Sequence, residues 1–473
     1  MATSPANSRI RSSHGEPPPP LNQELIVDEI LTRLPVAAAV RCRSVCRAWN
    51  AALASGHFVA AHAARAAAAR HPEIVFFSPT EKGVATSFYA CSLPEDGDGP
   101  PAAAARKLLS VGNLAGEHLV LTGKPCRGLT LVFDVRLSEY HVLNLSTGEH
   151  VSLPPCETAE EIAPVVPKLM LLKRFPLELS STGLGFDPAT GQHKVVRLFR
   201  NIFGQQKCEV CSLTASGEWR WRRCAGGNAP PRFACYVDGR PPVALDGSLY
   251  WLLHRRGCAD DGSASWDPQQ DAPILSLSVG AERFGWVRTP PRLASRIRHL
   301  TNLDGSLCAV VHDRLVDDVL LLVTWSPSSP SWSARCRVDV GSLPRPIRDE
   351  LSGEREIVPL CSVKKKILLA TSRHKVYAYD TEQGAAEEVF DMNRFVDVPP
   401  HNSESRLFVN IGLHEEDIGP KLAGDKWLQV KRGRDMVIGK REAASSVYQL
   451  EHRDHDEDFH RTREVIMHLA FPT

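Results

Sequence analysis

Residues 21–58 read LNQELIVDEILTRLPVAAAVRCRSVCRAWNAALASGHF, and three short helical patterns follow one another within them. Asn22 suits a helix N-cap, and Glu24 in the first turn complements the helix dipole. Val27, Ile30, Leu31 and Leu34 then recur at helical spacing. Pro35 ends that helix and can open the next, because its missing N–H costs nothing in a first turn. The second helix carries Val40, Arg41 and Val45, and the third sets Val45, Trp49 and Leu53 four residues apart on one face. Gly56 punctuates, and an Ala-rich helix runs on to Ala69. Three short helices bury too little apolar surface to be stable alone. Leu21, Leu25, Ile30, Leu34, Pro35, Val40 and Val45 therefore should not all be hidden inside the unit, and an exposed apolar patch marks a partner site. About forty residues suffice for a specific interface, which buries about 1,200–2,000 Å² in total.

Behind this unit the texture changes. Residues 73–77 (EIVFF) read as a strand, and strand-like runs dominate to about residue 440, among them 129–135, 193–199, 208–213, 248–253, 274–279, 319–325 and 375–379. Turn dipeptides such as Asp-Gly and Thr-Gly join many of them. Strands this short and numerous, without helical patterns between them, predict an all-β array. Leu245-Asp246-Gly247-Ser248-Leu249 recurs at 303–307, and an Asn or Asp followed by a tight Gly turn recurs at Asn144, Asp187 and Asp380. Repeated hairpins suit propeller blades, and residues 72–440 are long enough for about six to eight blades of about 40–50 residues. A pair of β-sandwiches is the alternative. Surface loops are expected at 95–105, 257–272 and 326–331. The predicted class is thus α+β and multidomain: a small N-terminal three-helix unit before a large all-β domain, a β-propeller of about six to eight blades.

The ends read differently. Residues 1–20 are polar, finish in Pro17-Pro18-Pro19-Pro20 and carry no secretory signal, so a disordered leader is expected. Residues 441–473 are a charged segment, in which 465–471 are apolar enough to be a strand closing the array. No run approaches the ~20 apolar residues of a membrane helix. The 13 Cys are odd in number and scattered, which reads as reduced thiols of the cytoplasm or nucleus. Lys plus Arg is 56 against 55 for Asp plus Glu, a balance that argues against a nucleic-acid binder.

Catalytic chemistry finds no purchase. No Gly-x-Ser-x-Gly elbow, phosphate loop, Gly-x-Gly-x-x-Gly or His-Glu-x-x-His occurs. Cys208 and Cys211 invite a metal reading, but residues three apart on a strand point to opposite faces and chelate poorly. His452, His455 and His460 lie in a charged segment that reads as solvated. Trp219, Trp221, Trp251, Trp286, Trp325 and Trp332 could line a ligand face; as strand aromatics they fit packing between sheets better. Neither a cofactor nor a metal is expected.

Residues 21–62 resemble the F-box. The residues that carry the resemblance are Leu21, Glu29-Ile30-Leu31, Leu34-Pro35, Arg41-Cys42-Arg43-Ser44-Val45-Cys46 and Trp49, with Phe58 behind. Asn22 departs from the Pro usual after the first Leu. Ala39 stands where the family prefers Leu, which would weaken one anchor. Residues 63–71 then form a connecting helix. Residues 72–395 resemble the F-box-associated and kelch-like β-domains of plant F-box families through Gly183-Leu184-Gly185-Phe186-Asp187-Pro188 and Leu249-Tyr250-Trp251. The resemblance implies a non-catalytic substrate receptor of an SCF-type ubiquitin ligase. Leu21, Leu25, Ile30, Leu34, Pro35, Val40, Arg41, Val45, Cys46 and Trp49 would meet a Skp-type adaptor and, through it, a cullin. The β-domain would hold a target protein. A protein-interaction scaffold working outside any ligase is the alternative.

Overall fold

The computed structural model describes residues 25–69, 73–79, 85–93, 104–112, 114, 119–121, 124–134, 139–156, 180–200, 206–214, 217, 219–225, 235–236, 240–255, 274–312, 319–352, 357–396 and 411–419. The expected leader, the segment 441–473 and most of the loops predicted at 95–105 and 257–272 lie outside these residues.

Six four-stranded antiparallel sheets follow one another along the chain. Blade 2 is Leu119–Leu121, Leu129–Asp134, Glu139–Asn144 and Glu149–Ser152; blade 3 is Ser180–Asp187, Gln192–Arg200, Gln206–Leu213 and Trp221–Arg223. Blade 4 is Val243–Leu245, Ser248–Leu252, Ile274–Ser278 and Phe284–Val287; blade 5 is Ile297–Leu303, Ser306–His312, Val319–Ser326 and Ser331–Asp339. Blade 6 is Ile357–Val363, Lys366–Thr371, Lys375–Asp380 and Ala386–Asp391. Blade 1 joins the two ends of the domain. Glu73–Pro79, Ala85–Ser92 and Arg106–Gly112 are completed by Ile411–His414, which pairs antiparallel with Glu73–Phe76.

The ring closes through apolar seams. Val75, Phe88 and Leu109 of blade 1 meet Val132 and Leu143 of blade 2. Leu131 and Val142 meet Leu184 and Val195 of blade 3, and Val196 and Val210 meet Leu249 and Trp251 of blade 4. Ile274 meets Leu307 and Val311 of blade 5, and Val310 and Leu322 meet Leu369 and Tyr377 of blade 6. Leu368 and Phe390 return to Ile74 and Phe76 of blade 1. Each blade is therefore pressed on both faces, which is why Leu129–Asp134 is buried at every position instead of alternating. Two sandwiches would leave outer faces wet; the fold is a six-bladed β-propeller.

The repeated turns hold what the sequence promised. Asp246-Gly247 and Asp304-Gly305 connect the first two strands of blades 4 and 5 with positive φ at both residues. Asn144, Asp187 and Asp380 each accept backbone N–H groups two or three residues on, while their own carbonyls accept from Gly148, Gly191 and Gly384. Cys208 packs between blades 3 and 4 and Cys211 between blades 2 and 3, on opposite faces of one strand. Trp251 is sealed between blades 3 and 4, whereas Trp286 is exposed.

First strands line the axis: those of blades 3, 4, 5 and 6 approach one another in succession. Lys124, in the first turn of blade 2, donates to the carbonyls of Asn302 and Leu360 on the first strands of blades 5 and 6. Loss of solvent draws its ammonium down to about 8.

Candidate functional site

The helical unit opens with a wide-wound turn over Ile26–Ile30 that tightens into a 3-10 turn over Leu31–Arg33. Leu34 is extended, as a residue before proline prefers, and Pro35 caps the helix Val36–Cys42. The carbonyl of Leu34 accepts from His62 Nε2 at 2.8 Å. A carbonyl can only accept, so the His62 proton sits on Nε2, and this buried ring pins the Leu-Pro corner from behind. His62 belongs to the long helix Gly56–Ala69, whose Arg65 also pairs with Glu29 of the first turn at 3.2 Å, beside Arg33 at 3.0 Å. Those two hydrogen bonds, Arg65 first, hold the Glu29 carboxyl below its usual range.

Val27, Leu31, Val36, Ala39, Leu53 and Phe58 form the buried core of the unit. Leu34, Val40 and Trp49 pack against it half-buried. Leu25, Ile30 and Val45 point out, 52%, 44% and 63% exposed, and Pro35, Arg41 and Cys46 are exposed with them. Leu21 lies outside the described residues. Two expectations need correction. Val45 precedes the helix Arg47–Leu53 and faces solvent, so it does not share the buried face of Leu53. Ala39 is an interior residue at 1% exposure, and its small size is a matter of core packing, not of an outward anchor. Cys46 is a helix cap: its Sγ accepts from the N–H of Trp49 at 3.4 Å.

Two contacts with the propeller escaped the sequence. Arg43, the inward member of the Arg-x-Arg pair, donates to the Leu53 carbonyl at 3.2 Å and lies 3.9 Å from Glu149 of blade 2. Burial lowers its pKa and the Glu149 carboxylate opposes that shift. Ile418, only 1% exposed, belongs to the same apolar core as Val27 and Phe58. It comes from the segment directly after the strand Ile411–His414.

Residues 23–59 match the F-box domain family. The chain carries an F-box domain. Its curated relatives are named for the same module. A protein of Arabidopsis thaliana named for an F-box is 26% identical over 294 residues, covering 60% of this chain and 55% of that one. A second, named for an F-box and kelch repeats, is 25% identical over 301 residues, covering 60% and 63%. A third, also named for an F-box, is 21% identical over 399 residues, covering 76% and 78%. The chain thus spans 55% and 63% of the length of the first two relatives. None of these names describes an enzyme. Among the described residues no helix is long and apolar enough to cross a membrane.

Proposed function

We propose that this protein is the substrate-recognition subunit of an SCF-type ubiquitin ligase, with the F-box docking a Skp-type adaptor that links it to a cullin. The observation that carries the reading is the distribution of exposed apolar side chains. Among the described residues four large hydrophobics are exposed, and Leu25, Ile30 and Val45 of the F-box are three of them. Leu25 and Ile30 flank the buried Val27 and Leu31 in the first turns, and Val45 lies between the helices Val36–Cys42 and Arg47–Leu53, so exposed apolar side chains are concentrated in one small module.

The target protein would bind the opposite end of the propeller. Turns between first and second strands, and between third and fourth, fall at the end where the F-box sits, because residues 144–146 of blade 2 contact 414–418 there. Several of those turns are tight, as at Asp246-Gly247 and Asp304-Gly305. At the other end lie the strand ends Ser152 and Ser180, Leu252 and Ile274, and Asp391 and Ile411, which the long stretches 153–179, 253–273 and 392–410 of the sequence join. Long connections displayed on a rigid ring are where specificity is carried. The receptor breaks and makes no bonds in this role; it raises the local concentration of target lysines near the charged conjugating enzyme.

Co-purification of the full chain with adaptor and cullin tests the reading. Leu34→Ala with Pro35→Ala is expected to abolish adaptor capture. Leu34 also lies half-buried on the core, so Ile30→Asp is the cleaner probe, because its side chain is exposed. A folded Ile30→Asp variant that captures adaptor as well as the native chain refutes the reading and favours a scaffold acting outside a ligase.

A further inference from the structure

We infer that residues 411–419 act as a strap that makes the adaptor face conditional on closure of the propeller ring, with Ile418 as its positioning residue. The inference rests on the adaptor-docking role proposed above and adds a dependence to it.

The strap does two things in nine residues. Its first half is the missing strand of blade 1: Ile411, Gly412, Leu413 and His414 pair with Phe76, Val75, Ile74 and Glu73. His414 Nδ1 also lies 2.9 Å from Glu73 Oε2. Its second half crosses to blade 2. Asn144 Nδ2 donates to the Ile418 carbonyl at 2.8 Å, the Asp417 N–H donates to Ser146 Oγ at 3.2 Å, and the Gly419 N–H donates to Asp417 Oδ1 at 3.0 Å. Gly128 leaves the room: a Cβ there would stand 2.7 Å from Asp417 Cβ. Held at both ends, Ile418 enters the F-box core against Val27, Leu31, Val36, Leu53 and Phe58.

The F-box helices Val36–Cys42 and Arg47–Leu53 have seven residues each, too short to persist without tertiary packing. Part of that packing is supplied by a residue some 360 positions away, which reaches its socket only when the strand before it is seated. A chain with an open ring lacks this plug in the F-box core. Apparent affinity for an adaptor falls in proportion to the competent fraction. The coupling is reciprocal, so a bound adaptor also favours the closed ring. The device would withhold unclosed receptors from the ligase.

Hydrogen exchange and adaptor titration on the full chain test this. Ile418→Ala is expected to speed exchange in the F-box helices and at 411–414 together, to leave blades 3 and 4 protected, and to weaken binding of a purified Skp-type adaptor about tenfold or more. Ile418→Val, which keeps most of the plug, should lose about threefold and serves if the first variant does not fold. Saturating adaptor should slow exchange at 411–414 in the native chain. Native adaptor affinity in Ile418→Ala, or exchange at 411–414 indifferent both to Ile418→Ala and to adaptor, overturns the inference. Ile30→Asp separates the two readings: it should lose adaptor with unchanged exchange throughout. If neither it nor the native chain binds adaptor, the docking role fails, and the exchange of Ile418→Ala alone still decides whether strand and F-box open as one.

Discussion

Val45→Asp separates binding from folding more sharply than any other substitution in the F-box. Val45 is 63% exposed and lies outside the helices, so its side chain contributes little to the free protein. Complete burial of a valine is worth about 1.5–3 kcal/mol. A partner that covers the part still exposed would gain about 1–2 kcal/mol from it, and Val45→Ala should weaken adaptor binding about five- to thirtyfold. Aspartate adds the cost of desolvating a carboxylate against an apolar partner, so the loss should reach about a hundredfold or more. Stability should stay within about 0.5 kcal/mol of the native chain, as for other surface changes. Leu53→Ala is the counterpart: its side chain is fully buried, and its loss should cost about 2–5 kcal/mol of stability. Calorimetric titration with a purified Skp-type adaptor and urea denaturation give the two numbers for each variant. Undiminished adaptor affinity in Val45→Asp would refute the reasoning, as would a stability loss approaching that of Leu53→Ala.

Other perturbations probe the ring and its strap. The hydrogen bond with His414, opposed by burial and helped by Ser92 and Arg106, holds the Glu73 carboxyl at about 2 against an ordinary 4.5. That stability is present above the ordinary value and is lost as pH falls towards about 2, so Glu73→Gln should flatten the acid limb of stability against pH in denaturant titrations. Lys124 gives a slope of the same sign in a higher window: its pKa falls from 10.5 to about 8, so the unfolded chain holds the proton longer and stability should rise as pH climbs from about 8 to 10.5. Lys124→Met should remove this rise, and an unchanged slope would show that the axial ammonium is not responsible. Gly128→Ala should destabilise by more than Gly305→Ala. Both have positive φ, worth about 1 kcal/mol, but only Gly128 is also crowded by Asp417. Equal urea midpoints for the two would contradict the close approach.

Much of the molecule was legible in the chain. The strands stood out because both faces of each middle strand are pressed by neighbouring blades, which leaves apolar runs such as 131–133 and 367–370 that no helix period explains. The recurrent Asp-Gly and Asn-x-x-x-Gly turns were readable because left-handed backbone selects those residues. The blade count was not fixed by them, since strands such as Val243–Leu245 are too short to mark a boundary. In the F-box, the order of Leu34-Pro35, Arg41 and Trp49 identified the module, yet helical spacing alone mistook Val45 for a partner of Leu53. Ile418 was invisible for a plainer reason. A single isoleucine in an acidic segment (His-Glu-Glu-Asp-Ile-Gly) shows no period, and its socket lies hundreds of residues away. The closing strand was sought at 465–471, which lie outside the described residues; Ile411–His414 is the strand that completes blade 1.

Ile418 also bears on how this protein can be re-engineered. A chimera that transplants only residues 25–69 onto another recognition domain would leave a hole where the isoleucine sat, and apolar side chains around it bared to water. The natural unit of exchange is discontinuous: the leading helices together with the tail that returns to them. Swapping the middle of the ring while keeping both outer pieces would preserve that junction, and would make the far rim of the propeller the place to graft new specificity.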